Sequence, residues 1–447
     1  MPVPDTEPRL RGRRPDQRGR LRRVAGLGVI VLAAPLLAAC GSAESGTPTL
    51  NWYINPDSGG QATIAQRCSE QSGGRYQLET FLLPRDSPSQ REQLVRRLAS
   101  NDESIDIMSL DTPYVPEFAQ AGFLAPVPAA SAQVLLEDAV DPMVLNSTWR
   151  DQLVGAPFWA NTQLLWYRKS VAEAAGLDMT QPVTWQQLID AAQEQDRILS
   201  VQGIRSESMT VWLNALVESA GGSIIENPEA SPEDIELGLD DEPAQAAAEV
   251  MSSIAEAGVG GPVLSTANED TNASEFESDE AGFMVNWPFV WARAQGKVEA
   301  GTLDQAALDD IGWAMYPRVS EDQPSAPPLG GIVLTVSQFS QNQDLAFEAL
   351  ECITSEDNQV EYMLTNGNPA ARAGAYDRPE VLAQLPMAPV IRDSLDAAAP
   401  RPLTPYYSEV SGSIQREYHP PSAVDPGVTG PQTAELIQAV LAKEELL

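Results

Sequence analysis

Chemistry that needs an imidazole has one residue to draw on in this chain, His419, between Tyr418 and Pro420 in a loop-like stretch. A Ser-His-Asp relay or a histidine-rich metal centre built on that residue alone is not expected. What the sequence offers is planar hydrogen-bonding groups beside aromatic rings at turn-like positions. Asp57 follows Asn55-Pro56, and Asp111 precedes Thr112-Pro113. Asn161 follows Pro157-Phe158-Trp159-Ala160, Trp287 sits between Asn286 and Pro288, and Arg401 leads a stretch ending in Tyr406-Tyr407. Aromatic faces suit the C–H side of a pyranose, while carboxylates, amides and guanidinium groups suit its hydroxyls. The same acids could instead form a glycosidase pair, which flanks the scissile bond at roughly 5–10 Å. Each residue also has a plainer reading. Asp57 and Asp111 fit helix caps, Asn161 a turn, Trp287 the core, and Arg401 a surface ion pair.

These groups must be held by regular elements, and the spacing of apolar residues supplies them. Thr49 to Asn55, Tyr76 to Leu83 and Ile105 to Leu110 read as strands; Gly60 to Gln71, Ser89 to Ala99 and Val115 to Gly122 read as the helices that follow them. Strand and helix alternating in this way predict an α/β fold with a parallel sheet covered by helices. The pattern returns more weakly: strands at Leu164 to Tyr167, Gly282 to Val285 and Gly331 to Val336; helices at Trp185 to Gln195, Thr210 to Ser219, Ala244 to Ala257, Asp344 to Thr365 and Gln432 to Leu446. Asp57 and Asp111 fall just past strand ends, the edge at which open sheets bind ligands. A cleft is expected there.

The ends and the composition narrow the setting. Eight arginines between Arg9 and Arg23 precede an apolar run, Val24 to Ala39, that ends in Leu37-Ala38-Ala39-Cys40. This reads as an export signal, residues 1–39, with Cys40 placed for lipidation after cleavage and 40–48 as a flexible tether. The run is shorter than the roughly 20 residues of a membrane span. Beyond residue 39 the chain keeps 20 Lys and Arg against 60 Asp and Glu. Such a surface excludes nucleic acid and anionic lipid as partners, because both need clustered positive charge. The remaining cysteines, Cys68 and Cys352, are an even pair that in an exported protein points to a disulfide, with two buried thiols as the alternative.

A resemblance joins these features. The lipobox, Ala65-Gln66-Arg67-Cys68, Leu83-Pro84-Arg85, Asp106 to Asp111, Asn161 to Arg168, Val285 to Phe289, Gly330-Gly331 and Arg401-Pro402 resemble the family 1 extracellular solute-binding proteins of carbohydrate ABC importers, and among them the mycobacterial trehalose-binding lipoproteins. The likeness spans nearly the whole chain after Cys40. It implies two α/β lobes of the periplasmic-binding-protein type, each a parallel-rich sheet flanked by helices, joined by a hinge. One lobe is expected at 47–157 plus 331–367 and the other at 158–330 plus 368–447. It implies a disaccharide, trehalose first, bound between the lobes and delivered to membrane permease subunits served by a cytoplasmic ATPase. No catalysis and no cofactor are implied, and a lipid-anchored monomer on the outer face of the cytoplasmic membrane is expected. By the same resemblance, Asp57 and Asp111 would accept sugar hydroxyls from one lobe. Asn161, Glu269 and Arg401 would bind from the other, Trp287 would be the stacking platform, and Gly331 would let backbone approach the sugar. The chain departs from the family at Glu277 to Gly282, where a Gly-Lys-Ala stretch is usual, and at Phe158-Trp159, which is bulkier than a trehalose binder requires. Other ligands compatible with the class are maltose-type oligosaccharides and a glycerol phosphodiester, although the latter calls for several cations and the candidate loops offer mainly Arg401.

Overall fold

The computed structural model describes residues 46–447. The signal segment 1–39, Cys40 and most of the tether lie outside the described residues. From Thr47 onward the chain is one compact unit, built on two sheets.

The first sheet begins as the spacing predicts. Strands β1 (Thr49–Ile54), β2 (Gln77–Leu82) and β3 (Ile107–Asp111) alternate with the helices Gly60–Gln71 and Ser87–Leu98, and β1 pairs parallel with both β2 and β3. The helix Ser87–Leu98 starts two residues earlier than expected because Asp86 caps it: the Asp86 carboxylate accepts from the Ser89 amide at 2.9 Å. Its Leu94 and Leu98 are fully buried. After the two-residue strands β4 (Thr148–Trp149) and β5 (Gln152–Leu153) comes β6 (Ala156–Thr162), a stretch the sequence reading treated as a loop. Pro157 obscured it. Proline is tolerated because β6 is an edge strand and its partner β11 (Leu329–Val336) shifts register between Ile332 and Val333.

The chain then leaves for the second sheet through a single residue, Gln163, into β7 (Leu164–Arg168). The second sheet adds β8 (Ile198–Ser200), β9 (Ala281–Asn286) and β10 (Ile311–Ala314) in the order β10-β7-β9-β8, and the first has the order β2-β1-β3-β11-β6. The two-lobed α/β expectation is met, but the sheets are mixed rather than parallel-rich. Three of the seven pairings are parallel, β1 with β2, β1 with β3 and β8 with β9, and four are antiparallel. The physical reason lies in the crossings. β11 re-enters the first sheet from the second and must run back along β3 and β6, as β7 must run back along β9 and β10.

Two helices are longer or shorter than periodicity alone gave. The helix Glu207–Ser219 gains a first turn, capped by Ser206 accepting from the Ser208 amide. The expected continuous helix from Asp344 to Thr365 breaks into Gln343–Ile353 and Glu356–Asn366, because the Thr354 hydroxyl turns back onto the Leu350 carbonyl and the chain leaves helical geometry at Ser355. Cys68 and Cys352 are joined by a disulfide that ties the first helix to Gln343–Ile353. Beyond Gly367, residues 370–372 bridge to Ala139 and Trp159 of the first-sheet region, and the last helices, Tyr407–Glu417 and Thr429–Leu441, pack in the core of the second.

Candidate functional site

A cleft of about 420 Å3 opens where the carboxyl ends of β1, β2 and β3 face the second sheet. That size lies within the roughly 300–1,000 Å3 of small-molecule sites. From the first sheet it is lined by Asn55, Arg85, Asp111 and Gly331, and from the second by Glu207, Glu269 and Trp287. Asn161, on the edge strand β6, and Arg401 complete the wall. Six of the seven residues expected from the sequence are therefore neighbours in space: Asp111, Asn161, Glu269, Trp287, Gly331 and Arg401.

Asp57 is the exception. Its two carboxylate oxygens accept from the Gly59 and Gln61 amides at 2.9 and 2.8 Å, which holds the start of the first helix, and it does not line the cleft. It stands next to Tyr362, whose phenol burial pushes up, with the Asp57 charge adding to the effect. Tyr362 in turn stacks on Trp159 at 5.1 Å between ring centroids, and Trp159 lines the cleft.

The centre of the site is an ion cluster that crosses the cleft. Arg401 is only 5 % exposed, and its Nη2 donates to Asp111 Oδ1 at 2.6 Å while Nη1 donates to Glu207 Oε1 at 2.6 Å. Asp111 ends β3 and also accepts from the Ser87 hydroxyl at 2.6 Å. Glu207 opens the helix Glu207–Ser219 and further accepts from the Tyr407 hydroxyl and, at 2.8 Å, from Ser411 Oγ. In all five hydrogen bonds with Arg401, Tyr407 and Ser411 the Asp111 and Glu207 carboxylates accept, as two carboxylates sharing one guanidinium require. Burial pushes the Glu207 carboxyl above its ordinary range against the pull of Arg401 and the Tyr407 hydroxyl, with Asp111 adding to the rise. Arg401 Nε is buried without a partner, as is Oδ1 of Asn55, another residue of the cleft wall. Glu207 carried no signal in the sequence, since an acid at a helix start reads as a dipole partner and the expected helix began only at Thr210.

The Trp287 indole has its own supports. Trp287 lies against Gly330, where an added Cβ would come within 3.1 Å of the indole. Its amide donates to Asn286 Oδ1 at 2.8 Å, and the Asn286 amide group donates to the Glu269 carbonyl at 3.0 Å, so Trp287 and Glu269 are fixed together. The Glu269 carboxylate accepts from Ser208 Oγ at 2.6 Å, next to Glu207. Gly331 has φ +132°, and a Cβ there would meet the Trp159 carbonyl oxygen at 2.3 Å. Glycine is required at this point by strand pairing with β6. Arg85 is exposed on the cleft rim, with no ion-pair partner among the described residues.

Among the described residues no group of three or more His, Cys, Asp or Glu is placed to hold a metal ion, and no helix is long and apolar enough to cross a membrane.

Residues 83–360 match the family described as bacterial extracellular solute-binding protein. A protein of Deinococcus radiodurans described as a probable ABC transporter-binding protein is 22% identical over 350 residues, covering 74% of this chain and 78% of the relative. Among solved structures, maltose-bound MalE3 of T. maritima superposes with a TM-score of 0.72 at 24% identity, covering 89% of this chain and 100% of the other. UgpB of Mycobacterium tuberculosis, in complex with glycerophosphocholine, gives a TM-score of 0.72 at 18% identity, covering 89% and 100%. With more than half of its length in the family match and the family's two-sheet architecture around an inter-sheet cleft, the chain belongs to the bacterial extracellular solute-binding proteins.

Proposed function

We propose that this protein is the capture subunit of a carbohydrate ABC importer, and that a neutral disaccharide, trehalose first, binds between its lobes without being cleaved. The observation that carries the reading is the combination in one cleft of an indole platform, Trp287, with Asn161, Glu269 and Asp111 on both sides. The charge balance supports a neutral ligand. Asp111, Glu207 and Glu269 face Arg85 and Arg401, and Arg401 is already engaged by two of the carboxylates. A glycerol phosphodiester would have only Arg85 left to meet its phosphate. Hydrolysis is disfavoured for a related reason: Asp111 is paired with Arg401 and Asp57 with backbone amides, so neither is free to act as a proton donor.

The lobes are proposed at 47–157 plus 331–367 and 158–330 plus 368–447, with two adjustments that the packing supports. The first crossing moves to Gln163, and residues 370–396 join the first lobe through the bridges at Ala139 and Trp159. Closure would bring Asp111 to Arg401, and a ligand that touches both lobes shifts the population toward that form. Moving it from mostly open to mostly closed takes about 5.5 kcal/mol of preference. Half a dozen hydrogen bonds, those to charged groups worth about 1.5–3 kcal/mol each, reach that figure. Export, lipidation at Cys40, a monomeric state and delivery to permease subunits with a cytoplasmic ATPase complete the proposal.

The test is calorimetric titration of residues 41–447 with trehalose, maltose, sucrose and glycerophosphocholine, followed by recovery of the ligand. Trehalose bound most tightly and recovered intact supports the reading. Heat only with glycerophosphocholine, or glucose in the recovered solution, would overturn it.

A further inference from the structure

Behind the cleft runs a buried chain of amides. Gln163, Gln202, Asn272 and Asn286 are each 3 % exposed or less, and none of them lines the cleft. Gln163 Nε2 donates to Gln202 Oε1 at 2.9 Å. Gln202 Nε2 donates to Asn272 Oδ1 at 3.1 Å and to the Val285 carbonyl at 2.7 Å. Asn272 Oδ1 takes a second donor, Asn286 Nδ2, at 2.6 Å, and Asn272 Nδ2 donates to Ser200 Oγ, whose hydroxyl ends on Glu275. Asn286 then accepts from the Trp287 amide and holds the Glu269 carbonyl.

Every amide in this chain has its orientation dictated by its neighbours. Turning any one would set donor against donor or acceptor against acceptor in a buried site, where an unmet group is costly. One end of the chain is Gln163, the single residue joining β6 of the first sheet to β7 of the second. The other end is the platform residue of the cleft. Trp166 reinforces that end, its indole N–H donating to the Asn286 carbonyl at 3.0 Å.

We propose that Gln163, Gln202 and Asn272 are positioning residues that set the Trp287 platform according to how the two sheets are joined, so that the stacking surface and the crossing strand move as one. The inference takes Trp287 as the ligand platform from the reading above, but its test is read without ligand.

The protein is labelled with 5-fluorotryptophan, and the 19F resonance of Trp287 is identified by its loss in Trp287→Phe. Gln163→Met breaks the link at the crossing, and Asn272→Leu breaks it in the middle. Gln202→Met replaces the second variant if Asn272→Leu does not fold. The expected result is a displaced or broadened Trp287 resonance in both variants while that of Trp52, bonded to Ser109 in the first sheet, stays in place. Trehalose binding is expected to weaken about 5- to 10-fold in each, the worth of one neutral hydrogen bond. A Trp287 resonance at its wild-type position in either variant overturns the proposal, and so does an equal displacement of Trp52, which would mean general loosening.

Discussion

Replacing Arg401 by methionine keeps the buried stem and removes the charge that joins Asp111 to Glu207 across the cleft, the contact on which the proposed closed form depends. Arg401 Nη1 lies 3.5 Å from Asp111 Oδ2 and 2.6 Å from Glu207 Oε1. Without the guanidinium the two carboxylates therefore face each other across about 6 Å or less, a repulsion of roughly 3 kcal/mol at an effective dielectric of about 20. Their side chains are only 17 % and 16 % exposed, so water does little to relieve it while the cleft stays shut. Together with the lost charge-assisted bonds, the closed form should lose about 3–5 kcal/mol, the usual cost of breaking a buried pair from one side. In calorimetric titration with the preferred sugar this reads as an affinity about 150- to 5,000-fold weaker. Small-angle scattering of the unliganded variant should show a larger radius of gyration. Removing the opposing charge as well, in Arg401→Met with Glu207→Leu, should restore part of the affinity, about tenfold. An Arg401→Met protein that binds within threefold of wild type and scatters identically would refute the reasoning.

Three further outcomes follow from the same structure. Gly331→Ala should cost about 2–4 kcal/mol in urea unfolding, because its Cβ meets the Trp159 carbonyl at a backbone angle side chains rarely adopt. Reducing the Cys68 to Cys352 bond should lower the melting temperature by about 2–6 °C, from a loss of about 2–5 kcal/mol spread over a large unfolding entropy. Burial raises the Glu218 carboxyl from 4.5 to about 7, against a hydrogen bond from Ser223 and with Glu226 adding to the rise. Because the folded value is the higher one, the folded state binds the extra proton. The contribution of Glu218 to stability is then greatest below about pH 4.5 and is lost as pH rises to about 7. Glu218→Gln should flatten that part of the stability profile, measured by thermal melts between pH 4 and 8.

The first α/β half was legible because its strands and helices follow the two simplest periodicities and each lies within a short stretch of chain. The cleft was legible for the same reason: Asp111 had to fall at a strand end. What escaped was long-range or ambiguous in type. Asp111 and Arg401 are 290 residues apart, and no local pattern announces that they share one salt bridge, or that Glu207 is the third member. β6 was hidden by a proline that only an edge position excuses. Asp57 looked like Asp111 in the sequence, but its carboxylate sits within reach of two backbone amides at the start of the first helix, as the capping reading has it. Gln163, Gln202 and Asn272 carry no local signal, since nothing in their order shows that three segments bring them together away from water.

The most direct test of the account is a pair of titrations with trehalose, wild type against Trp287→Ala. If the cleft captures a sugar on its indole platform, the wild type binds and Trp287→Ala loses at least about 2 kcal/mol, some thirtyfold in affinity, from lost stacking and buried area. Trehalose binding that is equally strong in both proteins would contradict it.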